Sequence, residues 1–233
     1  MPSTPIQLVI FDMAGTTVRD DDSVNTCLRA ALTAGGHTVT RDQVNAVMGL
    51  PKPEAIRLVL EGLEGRPPEA ARVHAIHEDF LRRMLEFYRT NPGIEPMPHT
   101  VEVLTRLKVA GVKIALDTGF SRPIVDAILQ RLGWNDGQWI DATVASDEVP
   151  RGRPHPDLAR RAMELTGVTD PRAVAKVGDT PSDLGEGTAA GCRLVIGVTN
   201  GTHTREQLAS HPHTHLLASL AELPAVVLGT PAA

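Results

Sequence analysis

Apolar residues along this chain follow two spacings. Short continuous runs span Gln7 to Asp12, Val112 to Asp117, Ala142 to Ala145, Ala173 to Val177 and Arg193 to Val198. Each has strand length, and turn formers such as Gly15, Gly119 and Gly178 follow three of them, which predicts buried strands. Elsewhere the period lengthens. Val101, Leu104, Leu107 and Val109 ahead of Gly111, and Ile124, Val125, Ile128, Leu129 and Leu132 ahead of Gly133, form apolar stripes with glycine stops, the signature of amphipathic helices. Strand and helix alternate from about residue 98 onward. The chain is therefore read as an α/β protein with a parallel sheet covered on both faces, which puts ligands at the carboxyl ends of its strands.

Residues 21–91 break that rhythm, with helix signals and no strand. Thr40-Arg-Asp-Gln43 has the spacing of a capping box, Pro53 opens a helical stretch running to Leu60, and Arg72 to Tyr88 is a longer one. The interval reads as an inserted helical domain between the linkers Asp20-Asp-Asp22 and Asn91-Pro-Gly93. The expected division is a catalytic core of residues 1–20 and 92–233 and a helical domain of 21–91. The tail after about 219 carries no clear signal.

Composition removes several alternatives. Of 233 residues, 23 are Lys or Arg and 28 are Asp or Glu, a net charge of −5. With no basic run, nucleic acid and membrane are not expected partners. Cys27 and Cys192 stand far apart, so neither a disulfide framework nor a cysteine metal knuckle is available, and a reducing cytoplasm is expected. The first apolar run is too short for a spanning helix or a secretion signal.

The chemistry gathers where strands end. Asp12 closes the first run ahead of Gly15-Thr16-Thr17, which puts a carboxylate beside backbone donors suited to phosphoryl oxygens; the alternative is an aspartate that only caps a turn. Val177-Gly-Asp-Thr-Pro-Ser-Asp183 supplies two further acids, and three convergent oxygens suit a hard cation such as Mg²⁺. Thr118, ahead of Gly119, offers a hydroxyl at the end of another run. Arg153, in a proline-rich loop, offers a guanidinium able to grip phosphate bidentately, with Arg151 as competitor and a solvated surface arginine as the plain alternative.

In that order, Asp12, Thr118, Arg153 and Gly178 to Asp183 resemble the four motifs of the haloacid dehalogenase superfamily, across the whole chain. The resemblance implies a Rossmann-like, doubly wound core with an inserted helical cap, an Asp12 nucleophile, an aspartyl-phosphate intermediate, and Mg²⁺ held by Asp12, Asp179 and the Ala14 carbonyl. Asp183 would orient the arginine, the metal waters or both. Ala14 itself departs from the usual pattern, in which a second aspartate serves as general acid. An oxygen leaving group normally needs a proton. Asp-x-Ala-Gly-Thr combined with Arg153 is similar to the phosphonatase branch, which cleaves carbon from phosphorus, and Met48-Gly-Leu-Pro-Lys52 is similar to that branch's cap segment. Lys52 falls on its Schiff-base lysine, and an iminium supplies the electron sink that a departing carbon requires. Pro53 puts Lys52 near a helix N-terminus, where the dipole disfavours the ammonium.

Two positions differ from that branch: Ala55 stands where a histidine assists proton transfer, and Phe120 replaces a tyrosine. The expectation is thus a Mg²⁺-dependent hydrolase of phosphonoacetaldehyde or another 2-oxoalkylphosphonate, with Gly15, Thr16, Met48 and Gly119 on the substrate and a homodimer left open. A phosphate monoesterase or phosphomutase is the alternative, and a non-catalytic phosphate-binding protein the third. His211, His213 and His215 alternate, and His74 and His77 lie a helical turn apart; a polar approach to a strand and a solvated helix face account for them, with either helix histidine open as a stand-in for the one missing at Ala55.

Overall fold

The computed structural model describes residues 4–229. Its six strands, β1 (Leu8–Asp12), β2 (Lys113–Asp117), β3 (Ala142–Val144), β4 (Val174–Gly178), β5 (Leu194–Val198) and β6 (His215–Leu217), form one parallel sheet in the order β3-β2-β1-β4-β5-β6. The order reverses at β1. Asp12 pairs with Asp117 in register, and Phe11 with Val177, so the ends of β1, β2 and β4 open together at the switch point where such sheets bind ligands.

Among the described residues ten α-helices accompany the strands. α1 (Ser23–Ala34), α2 (Arg41–Asn45), α3 (Lys52–Glu64) and α4 (Ala70–Thr90) follow β1 without an intervening strand. The others are α5 (Thr100–Val109), α6 (Arg122–Leu132), α7 (Asp157–Thr166), α8 (Pro181–Ala190), α9 (Arg205–Ala209) and α10 (Leu223–Leu228). Alternation along β1 explains the two layers. Leu8 and Ile10 pack with Leu158, Ala162 and Leu184 of α7 and α8, while Val9 and Phe11 pack with Leu104, Leu107, Ile124 and Ile128 of α5 and α6. None of the helices among the described residues is long and apolar enough to cross a membrane.

Local chemistry sets the helix ends. Thr40 Oγ1 accepts from Gln43 N at 3.2 Å and Gln43 Oε1 accepts from Thr40 N at 2.8 Å, the capping box of α2. Gly133, at φ 69°, ends α6 in the left-handed region that its missing Cβ permits. The alternating histidines do not share one strand face: Thr214 bonds Val195 at 2.7 Å through its amide, and β6 begins only at His215. The unassigned tail holds α10.

α1 and α3 pack against α4, and α4 also lies against α6. Phe120, just after β2, is the joint: its ring stacks on Phe80 at 6.5 Å and meets Tyr88 edge-on at 6.3 Å. The segments entering and leaving the helical insert run side by side, with Arg19 N donating to Glu95 O at 3.0 Å and Met97 N to Thr17 O at 2.9 Å.

Candidate active site

At the carboxyl ends of β1 and β2 a narrow cavity is lined by Asp12, Ala14, Thr118, Gly119 and Arg153 from the sheet side and by Met48 and Lys52 from the helical insert. Asp179 and Asp183 stand behind that wall, fully buried. Residues distant in sequence are thus brought to one place: Asp12, Thr118 and Asp179 stand at the ends of the adjacent strands β1, β2 and β4, Arg153 comes from the loop after the edge strand β3, and Met48 and Lys52 from the helical insert.

Arg153 is the hub of a buried charge network. Its Nη1 donates to Asp12 Oδ1 at 2.6 Å and lies 3.0 Å from Asp183 Oδ1, its Nε donates to Glu186 at 3.0 Å, and its Nη2 bonds the Asp117 carbonyl at 2.9 Å and the Asp117 carboxylate. Lys176, within β4, pairs with Asp117, with Asp183 at 3.2 Å and with Glu186 at 3.0 Å. Burial opposes charge on Arg153, but Asp117, Asp183, Asp12 and Glu186 outweigh it and hold its pKa well above the ordinary value. The free bidentate grip on phosphate expected of Arg153 is therefore corrected: the guanidinium is committed to acids and acts as a fixed positive charge beside Asp12.

The turn after β1 brings a second correction. Gly15 N donates to Val18 O at 2.8 Å and Thr16 N to Met13 O at 3.2 Å, so these amides close the turn instead of facing a ligand. Thr16 Oγ1 donates to Asp179 Oδ1 at 3.0 Å, and Thr202 N donates to Asp179 Oδ2 at 2.6 Å. Thr16 thus orients an acid. The Thr118 hydroxyl accepts from Phe120 N at 3.2 Å and keeps its proton for the cavity.

Asp12, Asp179 and Asp183 each offer one carboxylate oxygen, and the three oxygens lie within 4.8 Å of one another. Burial, reinforced by Asp183 and Asp179 and opposed by Arg153 and Lys176, pushes the Asp12 carboxyl up to about 8. Burial and Asp183 push Asp179 up to about 6 against its bonds from Thr202 and Thr16. Acids crowded so closely are the donor set that a hard divalent cation satisfies, and the residues fit Mg²⁺.

Lys52 is the first residue of α3 and is only 4% exposed. Its Nζ donates to Leu50 O at 3.3 Å and lies 5.1 Å from the centre of the Phe120 ring. Burial is the main cause that lowers it to about 8; Arg153 adds to that effect, while Asp12 and Asp20 oppose it. The segment carrying Lys52 is seated by close approach. A Cβ on Gly119 would stand 2.5 Å from Leu50 O and 2.8 Å from Gly49 O, and Ser182 Oγ donates to Met48 O at 3.3 Å.

Sequence reasoning passed over Asp117, Lys176, Glu186 and Asp20. The first three complete the network around Arg153; Asp20, read as linker, lines the cavity and accepts from Ser23 N at 2.7 Å and Val24 N at 3.2 Å. A signal existed for Lys176, since a lysine inside an apolar strand is rare unless paired. His74 and His77 line a separate outer cleft.

A model of the haloacid dehalogenase-like hydrolases matches residues 6–191. The phosphonoacetaldehyde hydrolase of Bacillus cereus is 33% identical over 213 residues, covering 84% of this chain and 77% of that protein. Among solved structures, a phosphonoacetaldehyde hydrolase-like protein from Oleispira antarctica superposes with a TM-score of 0.83 at 22% identity, covering 97% of this chain and 93% of that one. A Bacteroides vulgatus chain described as a beta-phosphoglucomutase gives 0.84 at 22%, covering 98% and 90%. At such identity the two structures attest the shared fold.

Proposed function

We propose, from the premise that this chain belongs to the haloacid dehalogenase-like hydrolases, that it hydrolyses the carbon–phosphorus bond of phosphonoacetaldehyde or a related 2-oxoalkylphosphonate. One observation carries the reading: a buried lysine amine shares a cavity with the Asp12 carboxylate, beside an alanine where an acid would serve an oxygen leaving group.

Lys52, with its pKa lowered to about 8, keeps a usable fraction of free amine near neutral pH and condenses with the substrate carbonyl to an iminium. Asp12 then attacks phosphorus. The carbon–phosphorus electron pair flows into the iminium, so the leaving group is a neutral enamine and needs no proton from position 14. Thr118 donates its hydroxyl to a phosphoryl oxygen, and Arg153 holds positive charge beside the nucleophile. Protonation of the enamine at carbon and hydrolysis free Lys52 and release the aldehyde or ketone, while water cleaves the aspartyl phosphate. Mg²⁺ held by Asp12, Asp179 and the Ala14 carbonyl, with Asp183 beside them, supplies screening of charge between carboxylate and phosphoryl group.

The test is covalent capture. Borohydride added with phosphonoacetaldehyde is expected to place a reduced adduct on Lys52, detected by peptide mass, and none in Lys52→Arg, which keeps the charge but forms no imine. Asp12→Asn is expected to keep the adduct and release no phosphate. Turnover of simple phosphate monoesters without any adduct would instead select the phosphatase reading.

A further inference from the structure

The imine chemistry moves protons at the Lys52 nitrogen and at the carbonyl oxygen, and the chain has alanine at position 55. Four ionisable side chains line the cavity: Asp12, Asp20, Lys52 and Arg153. Asp12 is the group that attacks phosphorus, Lys52 carries the substrate, and a guanidinium does not give up its proton. Asp20 remains. His74 and His77 line the outer cleft on the far side of Arg153, and Tyr88, buried near Asp20 and Asp12 and held protonated chiefly by burial, does not line the cavity.

The placement of Asp20 suits a relay. Its Oδ1 is fixed by the amides of Ser23 and Val24 at 2.7 and 3.2 Å, while Oδ2 takes no hydrogen bond from the described residues. Asp20 also borders a second, polar recess, with Asp22, Asn25, Arg41 and Asn45 around it. Together with Met48 and Thr202 it forms the partition between the two spaces. One carboxylate thus faces the lysine's cavity on one side and a polar recess on the other.

We propose that Asp20 is the proton-transfer residue of the imine steps at Lys52, exchanging its proton with solvent through that polar recess. The assignment rests on the iminium reading above. Lys52 Nζ bonds the carbonyl carbon and one of its protons passes to the oxygen; Asp20 gives that oxygen its second proton, the carbon–oxygen bond breaks, and water leaves an iminium and an Asp20 carboxylate. After a solvent proton has been added to the enamine carbon, the same carboxylate takes a proton from the water that attacks the product iminium, which returns Asp20 to its starting acid; the remaining hydroxyl proton passes to the nitrogen as the carbon–nitrogen bond breaks, which frees Lys52 and the carbonyl product. Burial lifts the Asp20 pKa above the ordinary carboxyl value, against the pull of the two amides and of Lys52, so the acid form persists nearer neutrality.

The experiment compares wild type, Asp20→Asn and Asp20→Glu, each with Mg²⁺ and phosphonoacetaldehyde, by rapid-quench reductive trapping at Lys52 and by phosphate release. Asn keeps an oxygen for the two α1 amides and removes only the titrating proton. Asp20→Asn is expected to slow adduct formation and phosphate release together, by about a hundredfold, with KM within about threefold, and Asp20→Glu to recover part of the loss. Turnover of Asp20→Asn within about threefold of wild type, with a wild-type adduct present, overturns the role of Asp20 and leaves Lys52 in place. Unchanged adduct formation with slowed phosphate release, or equal losses in Asn and Glu, overturns it as well. Absence of any wild-type adduct overturns the iminium reading itself.

Discussion

Lys52 shows how a fold tunes one amine. Burial withdraws water from its ammonium and Arg153 adds repulsion, and together they outweigh Asp12 and Asp20, while the Phe120 ring at 5.1 Å favours the cation. Its pKa falls to about 8. Below that pH the free amine is the minor species, so in Asp20→Asn, where no carboxylic acid at position 20 titrates against the amine, the rate of adduct formation in a single turnover is expected to rise about tenfold per pH unit and to level off above about 8. Stopped time courses across pH 5.5 to 9.5 check this, and a flat profile would contradict it. Asp12, Thr118 and Asp179 are legible in the sequence because each stands at a strand end with a glycine within three residues, and Lys52, Arg153 and Asp183 through the motifs that carry them. Glu186 is not, nor is the partner of Lys176, because a buried ion pair joins residues such as Lys176 and Asp117 that stand 59 positions apart, and no local spacing reveals the pairing.

Among elements, the segment from Met48 to Pro51 decides how the helical insert meets the sheet. It rests on Gly119, with the carbonyls of Gly49 and Leu50 where a side chain would otherwise stand. Gly119→Ala is expected to lift the segment and with it Lys52, lowering kcat about tenfold to a hundredfold, because displacements near 1 Å cost that much in a preorganised site. Gly62→Ala, in α3 with open space around it, serves as the contrast and is expected to stabilise by about 0.5–1 kcal/mol in urea titration. The strands and capping boxes could be read from the sequence since their causes lie within a few residues. The seat could not, because it depends on two loops that meet only after folding. β6 was faint for a third reason: it is three residues long.

For the whole molecule, the charge at the sheet's open end matters most. Five buried carboxyl groups, Asp12, Asp117, Asp179, Asp183 and Glu186, face the buried cations Arg153 and Lys176, a surplus of acid that burial makes costly. A divalent cation that binds only the folded chain is expected to stabilise it by about 2.7 kcal/mol at a hundredfold excess over its Kd. In a thermal melt this corresponds to a rise in Tm of roughly 5–10 °C, reversed by a chelator; an unchanged Tm across a Mg²⁺ titration would argue against the site. The paired approach of Arg19 to Glu95 and of Thr17 to Met97 has another consequence. A helical unit whose two ends depart side by side is a cassette: it can be lengthened, shortened or traded for a foreign one without shifting the register of any strand beneath, so new specificities can be grafted above an unaltered sheet.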